Sequence, residues 1–261
     1  MSEKVTLDID KLCRLTGGKF NVIFKETLPS TNSFLSELAT GGAPEYTLVT
    51  ADSQTSGRGR LGRSFSSPAG TGVYASLLLK PRMNAEDSLI ITAAAACAAA
   101  RAVENVCGRP ALIKWVNDIY INDKKVCGIL AETKFSGESA DFTVLGIGIN
   151  VNAPKDGFDD DVKDIAGAMF DDGRAGDFRA ETLAEFLNIF DEYYKSGLFD
   201  CVPEYEKMQY LTGKKIYVIR GDERIPAKAT GVDGSCALIV EYENGVRDRL
   251  TYGDVSVKPA L

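Results

Sequence analysis

Residues 111–151 decide the fold of this chain, and they read ALIKWVNDIYINDKKVCGILAETKFSGESADFTVLGIGINV. Apolar and β-branched residues recur in short runs separated by turn residues, which is typical of neighbouring antiparallel strands. One turn falls at Asn122-Asp123 and the next at Ser136-Gly137-Glu138. We therefore predict an antiparallel meander with strands at 111–115, 118–122, 126–133 and 142–151.

The segments on either side of the meander show strand and helix patterns in turn. Ser30 offers helix N-cap chemistry, and Gly41-Gly42 ends the helix that follows. The acidic segment 156–177 is expected to be loop with one short helix. Further strands are predicted at 20–28, 46–51 and 73–79, and further helices at 86–106, 183–194 and 203–211.

After Gly213 the pattern changes to five short β-like runs separated by turns. Asn244-Gly245 between alternating strands is a strong hairpin signal, and five short strands are typical of a small SH3-type barrel. The runs are 214–220, 224–230, 236–242, 246–251 and 254–258, and the turn before the last is Gly253-Asp254. We predict an α+β chain: a mixed or antiparallel sheet packed with helices over 1–212, and a small SH3-like β-barrel over 213–261.

Composition excludes several classes of function. The chain has 261 residues, a net charge of −7 and no histidine. The lack of histidine excludes a Ser-His-Asp triad, a Cys-His pair and histidine-based metal sites. The six cysteines form no CxxC pair, which favours reduced, buried thiols. No apolar run has membrane length and the N-terminus is polar, so we predict a cytoplasmic protein without a membrane span.

A basic island interrupts this acidic chain. Residues 53–85 contain five Lys and Arg residues but no Asp or Glu, and they include GRGRLGR at 57–63. Glycines let backbone N–H groups approach a ligand closely, and arginines supply forked donors for carboxylate or phosphate oxygens. The island therefore suggests a local anionic ligand. A solvated basic turn or a short RNA-binding segment would have the same composition.

Three further motifs carry polar groups that are suited to a site. KWVND at 114–118 offers an ammonium, an amide and a carboxylate, although a surface lysine beside a buried Trp would look the same. GIGIN at 146–150 places glycines inside a strand, which marks close backbone approach or a neighbouring side chain. STN at 30–32 is a helix N-cap, and helix N-termini also bind polar and anionic groups.

Taken together, these motifs resemble the biotin–protein ligase family. The order runs STN at 30–32, Gln54, GRGRLGR at 57–63, KWVND at 114–118, KVCGIL at 125–130 and GIGIN at 146–150. The likeness covers about residues 24–258. It implies that 1–212 is a class II synthetase-like catalytic domain that binds biotin and ATP. It also implies that biotin is joined to a lysine of a biotin carboxyl carrier protein through biotinyl-5′-AMP.

The resemblance implies roles position by position. Lys114 and Arg60 are the implied catalytic residues, and Lys114 would contact the biotin carboxylate and the α-phosphate. The residues implied for biotin are Ser30, Thr31, Asn32, Gln54, Arg58, Gly59, Arg60 and Lys114. Those implied for ATP or the adenylate are Gly57, Arg58, Arg60, Arg63, Phe65, Lys114, Asn117 and Asn150. Magnesium is implied without assigned ligands, and Asn117 and Asp118 are the nearest candidates.

The sequence departs from the family pattern in places. Phe65 stands where the family usually has Trp, and Val116 where it usually has Pro. Neither position carries a charge that the chemistry needs, so we expect activity to persist. About 24 residues precede the matched region, too few for the DNA-binding domain of the regulatory members, so we predict no DNA binding. The resemblance also implies a homodimer formed through an exposed sheet edge.

Two alternatives stay open at this point. One is a lipoate or octanoate ligase or transferase, which shares the fold and also modifies a carrier lysine. The other is a non-catalytic nucleotide- or RNA-binding module. The arginine–glycine loop and the small C-terminal barrel favour biotin.

Overall fold

The structure is a computed structural model that describes residues 6–84, 88–137, 139–171 and 177–251, together with the backbone of 255–259. The helices are α1 (Ile9–Leu15), α2 (Thr31–Thr40), α3 (Leu89–Cys107), α4 (Arg179–Ser196) and α5 (Val202–Lys207). The first strands are β1 (Asn21–Leu28), β2 (Thr47–Gln54), β3 (Gly72–Leu79), β4 (Leu112–Lys114), β5 (Asp118–Ile121), β6 (Lys124–Ser136) and β7 (Ser139–Asn150). The last are β8 (Lys215–Arg220), β9 (Glu223–Val232), β10 (Leu238–Tyr242), β11 (Arg247–Leu250) and β12 (Val255–Pro259).

Strands β1 to β7 form one sheet in the order β1-β2-β3-β7-β6-β5-β4. β1 and β2 run parallel, and all other neighbours in this sheet run antiparallel. Strands β4 to β7 are each paired with the next strand in sequence, so the predicted meander is confirmed. The predicted mixed sheet and α+β class are confirmed as well.

Helices cover both faces of this sheet. Alternate residues of a strand point to opposite faces, and β3 shows this clearly. Val73, Ala75 and Leu77 join the core beneath α3 and α4, whereas Leu78 packs on the other face in the cluster that contains Leu35 of α2. The candidate site lies on the α2 face.

Helix α3 explains the alanine-rich stretch of the sequence. Within the part of the chain that the structure describes, it is the one helix long and apolar enough to cross a membrane by length and composition. Its alanines at 93–96 and 98–100 are fully buried in the core between the sheet and α4. The apolar composition of α3 is thus explained by burial inside the protein.

The C-terminal strands form a second, antiparallel sheet in the order β11-β10-β9-β8-β12. Gly245 adopts a φ of 80° in the hairpin turn between β10 and β11. β10 begins two residues later than predicted because the Asp233 carboxylate accepts the N–H groups of Ser235 and Ala237 and closes a turn. The predicted turn at Gly253-Asp254 lies outside the described residues, as do Glu86 and Glu138.

The structure corrects two sequence-based expectations about helices and adds one helix that the sequence patterns did not predict. Helix α1 was not anticipated; Asp8 caps it by accepting the Lys11 N–H at 2.8 Å. The helix expected over 203–211 ends at Lys207. Beyond it the backbone joins the sheet, because Ile113 bonds on both sides to the following segment, accepting from the Tyr210 N–H and donating to the Met208 carbonyl at 2.8 Å each.

The short helix expected within 156–177 is also wrong for the residues that are described there. Residues 160–165 form turns. The chain then runs extended along the large sheet, where the Lys125 N–H donates to the Ile165 carbonyl at 2.7 Å and the Gly167 N–H to the Lys125 carbonyl at 2.9 Å. Pairing with the start of β6 therefore replaces helical hydrogen bonds.

Candidate functional site

A cavity of about 940 Å³ opens on the α2 side of the large sheet. Its floor includes Gly128 of β6 and Gly146 and Gly148 of β7. Because strand side chains alternate between faces, glycines at these positions remove side chains from the cavity face alone. The floor is therefore made of backbone, which leaves room for the side chains of Asn32, Lys125 and Phe65 to lie over it.

The N-terminus of α2 forms one wall of the cavity. Ser30 is the N-cap of this helix and accepts the Ser33 N–H at 3.4 Å. Thr31 and Asn32 are buried, and the Ser76 hydroxyl lies 2.8 Å from Thr31 Oγ1 and 2.6 Å from Asn32 Oδ1. Ser76 of β3 was not anticipated from the sequence. It fixes the orientation of both side chains.

Gln54, the last residue of β2, joins this wall to the arginine–glycine loop. Its Oε1 accepts the Thr31 N–H at 2.8 Å, and its Nε2 donates to Ser67 Oγ at 2.9 Å. Both ends of the amide are thus engaged. Gln54 sets the separation between α2 and the returning end of the loop.

The arginine–glycine loop folds back on itself. The Phe65 N–H donates to the Gly57 carbonyl at 2.9 Å, and the Gly59 N–H donates to the Arg63 carbonyl at 2.7 Å. Gly62 adopts a φ of 71° at the tip, a conformation that favours glycine. Gly59 and Arg63 line the large cavity, whereas Gly57 lies behind the loop beside a smaller one.

Two arginines tie this loop to other elements. Arg58 forms a two-point ion pair with Glu132 of β6, with Nη2–Oε1 at 2.7 Å and Nη1–Oε2 at 3.1 Å. Arg60 Nη1 donates to Asn117 Oδ1 at 3.2 Å. The loop is therefore held over the cavity from both sides. Glu132 was not anticipated, because nothing in its sequence context distinguishes it from a solvated strand residue.

Lys114 lines the cavity from the end of β4. Its Nζ lies 5.4 Å from the centre of the Tyr120 ring and 3.4 Å from the Tyr120 hydroxyl. Burial raises the pKa of Tyr120, so this hydroxyl stays protonated at neutral pH. The ammonium of Lys114 is therefore packed against a neutral aromatic side chain.

Lys125 is a second lysine in the cavity, and it lies directly over the floor. Its Nζ forms an ion pair with Asp118 at 2.7 Å. A Cβ built at Gly128 would lie 3.2 Å from this Nζ and 3.3 Å from the Phe65 ring. The sequence motif contains Lys125 but does not indicate a role for it. The Asp118 carboxylate and the floor come to lie on either side of Lys125 because β5 pairs with β6, and the local sequence does not show this pairing.

The far end of the cavity is aromatic and polar. A Cβ built at Gly148 would lie 2.5 Å from the Phe65 ring, so this ring covers Gly148. Asn150, two residues further along β7, donates to the Gly167 carbonyl at 3.0 Å. Along β7 the cavity thus runs from Asn32 over Gly146 to Phe65 over Gly148 and on to Asn150.

The two candidate magnesium ligands are engaged with other side chains. Asn117 accepts from Arg60 and donates to the Ile129 carbonyl at 2.8 Å, and Asp118 pairs with Lys125. Among the residues that the structure describes, no group of three or more Cys, Asp or Glu side chains has the arrangement of a metal site. These side chains do not fit a magnesium site made by the protein alone.

The structure brings together nearly all of the residues that the sequence analysis singled out. Gly57 alone lies outside the lining of the large cavity. Those that line it are Ser30, Thr31, Asn32, Gln54, Arg58, Gly59, Arg60, Arg63, Phe65, Lys114, Asn117, Asp118 and Asn150. Arg and Lys side chains that converge on a glycine floor suit a ligand with carboxylate or phosphate oxygens.

Comparison with known proteins gives the family. Residues 24–150 match the Biotin/lipoate A/B protein ligase family, and residues 212–258 match the Biotin protein ligase C terminal domain. The chain is 34% identical over 231 residues to the Bifunctional ligase/repressor BirA of Bacillus subtilis (strain 168), across 87% of this chain and 71% of that protein. The chain belongs to the biotin protein ligase family.

Two further members of the biotin protein ligase family are similar to it. The Biotin–[acetyl-CoA-carboxylase] ligase of Paracoccus denitrificans is 37% identical over 129 residues, which cover 49% of this chain and 53% of that protein. The biotin protein ligase from Aquifex aeolicus in complex with biotin and ATP is 28% identical with a TM-score of 0.77, covering 92% of this chain and 99% of that one. The family resemblance of the motifs is confirmed.

Proposed function

We propose that this member of the family activates biotin with ATP and transfers it to a lysine of a biotin carboxyl carrier protein. One observation carries the proposal: the α2 N-terminus, the arginine–glycine loop and Lys125 line a single cavity with a glycine floor. The polar wall at Asn32 suits the biotin head group. The aromatic end at Phe65 suits the adenine base.

The reaction has two half-reactions. A biotin carboxylate oxygen attacks the α-phosphorus of ATP, the bond to the β-phosphate breaks, and pyrophosphate leaves. The amine of the carrier lysine then attacks the carbonyl carbon of biotinyl-5′-AMP, loses a proton and displaces AMP. Negative charge is concentrated where the carboxylate meets the α-phosphate. Cationic groups that are already placed there lower the barrier without reorganising.

Lys125 is the group best placed for that task. It lies over Gly128, which pairs with Gly148 and also lies beside the Phe65 ring, and the Gly146 end of the floor is one step of two residues further along β7. Lys114, which the resemblance implies as the catalytic lysine, lines the same cavity and packs against Tyr120. We assign the central contact to Lys125 and a flanking contact to Lys114.

Arg60 retains the intermediate through its hydrogen bond to Asn117. We expect Arg60→Gly to open the loop and release biotinyl-AMP, so that lysines of a bystander protein become biotinylated. Streptavidin blotting of serum albumin incubated with enzyme, biotin and ATP measures this. Arg82→Gly, which changes an exposed arginine of the same basic segment, is the matched control. Bystander labelling at the parental level in Arg60→Gly would contradict the retention role.

Gly146 supports the biotin end of the floor. A side chain at this position would fall on the Asn32 amide, which is hydrogen-bonded and buried. We expect Gly146→Ala to displace the Asn32 amide by overpacking and so to raise the Kd for biotin by about fivefold or more, which corresponds to about 1 kcal/mol or more of binding free energy. Titration calorimetry measures the Kd, and Gly234→Ala, which meets no atom within 4 Å, is the control. An unchanged Kd for biotin in Gly146→Ala would show that Asn32 does not contact biotin.

Magnesium enters this proposal as an ion carried by ATP. Mg²⁺ commonly keeps several waters and binds substrate phosphates with few protein ligands. This agrees with the engagement of Asn117 and Asp118 by Arg60 and Lys125. When bound, Mg²⁺ would neutralise part of the negative charge of the ATP phosphates.

Location and assembly are proposed on separate grounds. The six cysteines are free thiols, which suits a reducing compartment, and we propose a cytoplasmic location. We also propose a homodimer through the β1 edge of the large sheet, because β4, the strand at the other end, already pairs with residues 208–210. Light scattering of the purified chain measures the assembly state.

Biotin-dependent exchange of pyrophosphate into ATP tests the proposed function directly. We expect exchange with biotin and none with lipoate or octanoate. A thermal-shift comparison of the same ligands gives an independent measure of binding. Exchange that depends on lipoate instead would replace the biotin assignment by that of a lipoate ligase.

A further inference from the structure

One carboxylate joins the arginine–glycine loop to the α2 wall. Glu132 Oε1 accepts from Arg58 Nη2 at 2.7 Å, and Oε2 accepts from Arg58 Nη1 at 3.1 Å. The same Oε2 accepts from Asn32 Nδ2 at 3.0 Å. Three donors from two separate elements therefore meet on a single side chain.

Glu132 stands next to the cavity and not inside its lining. It follows Gly128 and Leu130 on the same face of β6, because side chains alternate along a strand. Leu130 and its neighbours line the cavity, while Glu132 lies behind the two side chains that it holds. Its oxygens face Asn32 and Arg58, so it acts on a ligand through those residues.

We propose that Glu132 is a positioning residue that holds Arg58 and Asn32 together and so keeps the loop closed over the biotin end of the cavity. This inference rests on the proposed function. The Asn32 amide is already fixed by Ser76 and by the Leu130 carbonyl. Glu132 couples the position of Arg58, and with it the loop, to that fixed point.

The charges of the Arg58–Glu132 ion pair allow its contribution to be tested separately from folding. The Arg58 and Glu132 side chains are 48% and 36% exposed, so their attraction is screened by salt. Glu132→Gln keeps an amide oxygen for Asn32 but loses the charge and one of the two acceptors for Arg58. The variant therefore weakens the contact between Glu132 and Arg58 without disturbing the folding of β6.

The test compares the parent chain with Glu132→Gln and with Glu241→Gln. Glu241 also forms an exposed ion pair with an arginine, Arg247, but on the small sheet. We expect Glu132→Gln to raise the KM for biotin by roughly two- to fivefold while the KM for ATP stays at the parental value. We also expect trypsin to cleave faster after Arg58 and Arg60 in the biotin-bound protein. Glu241→Gln should match the parent in each measurement.

Salt supplies a further readout that a purely structural role would not move. The KM for biotin of the parent should rise between low and high ionic strength, and that of Glu132→Gln should rise less. Unchanged KM and unchanged cleavage in Glu132→Gln would overturn the proposal. A lower KM for biotin would also overturn it, since Glu132 would then compete with the ligand for Arg58. Absence of biotin-dependent exchange in the parent would instead refute the proposed function.

Discussion

Replacement of Lys125 by alanine is expected to slow the formation of biotinyl-AMP by about 100-fold or more. The Lys125 ammonium lies over Gly128 beside the Phe65 ring, and we place the meeting point of the biotin carboxylate and the α-phosphate of ATP there. Loss of a cation that stabilises developing charge lowers the rate of the chemical step more than it weakens ground-state binding. Single-turnover release of pyrophosphate measures that step, and calorimetry measures biotin binding.

Two other lysines sharpen this experiment. Lys114→Ala removes the lysine that packs against Tyr120, and we expect a smaller loss because its ammonium is not placed over Gly128. Lys124→Ala removes the neighbouring lysine. The Nζ of Lys124 donates to the Asp164 carbonyl at the surface, so we expect this variant to form biotinyl-AMP at the parental rate. A 100-fold loss in Lys114→Ala, with a parental rate in Lys125→Ala, would return the central role to Lys114.

The second large effect is on stability. Arg179, the first residue of α4, pairs with Asp52 of β2 at 2.8 Å, and both side chains are 1% exposed. Asp177 adds a second ion pair to the same guanidinium at 2.8 Å. We expect Arg179→Leu to lower the free energy of unfolding by about 3–5 kcal/mol, because it leaves the buried Asp52 carboxylate without its cation. Thermal unfolding should show a fall of roughly 10 °C in Tm.

A double variant separates loss of charge pairing from loss of packing. Asp52→Asn added to Arg179→Leu removes the unpaired charge, so part of the lost stability should return. Arg247→Leu breaks the exposed pair with Glu241 and should cost at most about 1 kcal/mol. Equal losses in Arg179→Leu and Arg247→Leu would show that burial does not govern the Asp52 pair.

The sequence predicted those parts of the fold that depend on local patterns. The meander followed from alternating apolar residues and turns, and the start of α2 followed from the side chain of Ser30. The sequence pattern predicts a longer α5 than the structure shows. The residues after Lys207 pair with Ile113 instead, and this pairing joins segments that are far apart in the chain. Local propensity carries no information about such a partner.

Some residues of the candidate site could be recognised from local sequence, and others could not. Arg58, Asn32 and Gly146 belong to motifs whose composition already suggested a ligand. Glu132 and Ser76 have ordinary local sequence, and they matter because the strand register places them beside Arg58 and Asn32. Glu132 is 74 residues from Arg58 in the chain. Contacts of that separation follow from the packed sheet and not from any one segment.

The glycine floor has a consequence for engineering the ligand range of this protein. Gly128, Gly146 and Gly148 have no side chains to shorten, so substitutions there can only make the cavity smaller. Room for a bulkier biotin analogue has to come from Leu130 beside the biotin end, whereas Phe65, which covers Gly148, sets the room at the adenine end. Libraries that aim at bulkier biotin analogues should therefore vary Leu130, those that aim at altered nucleotides should vary Phe65, and both should leave the floor unchanged.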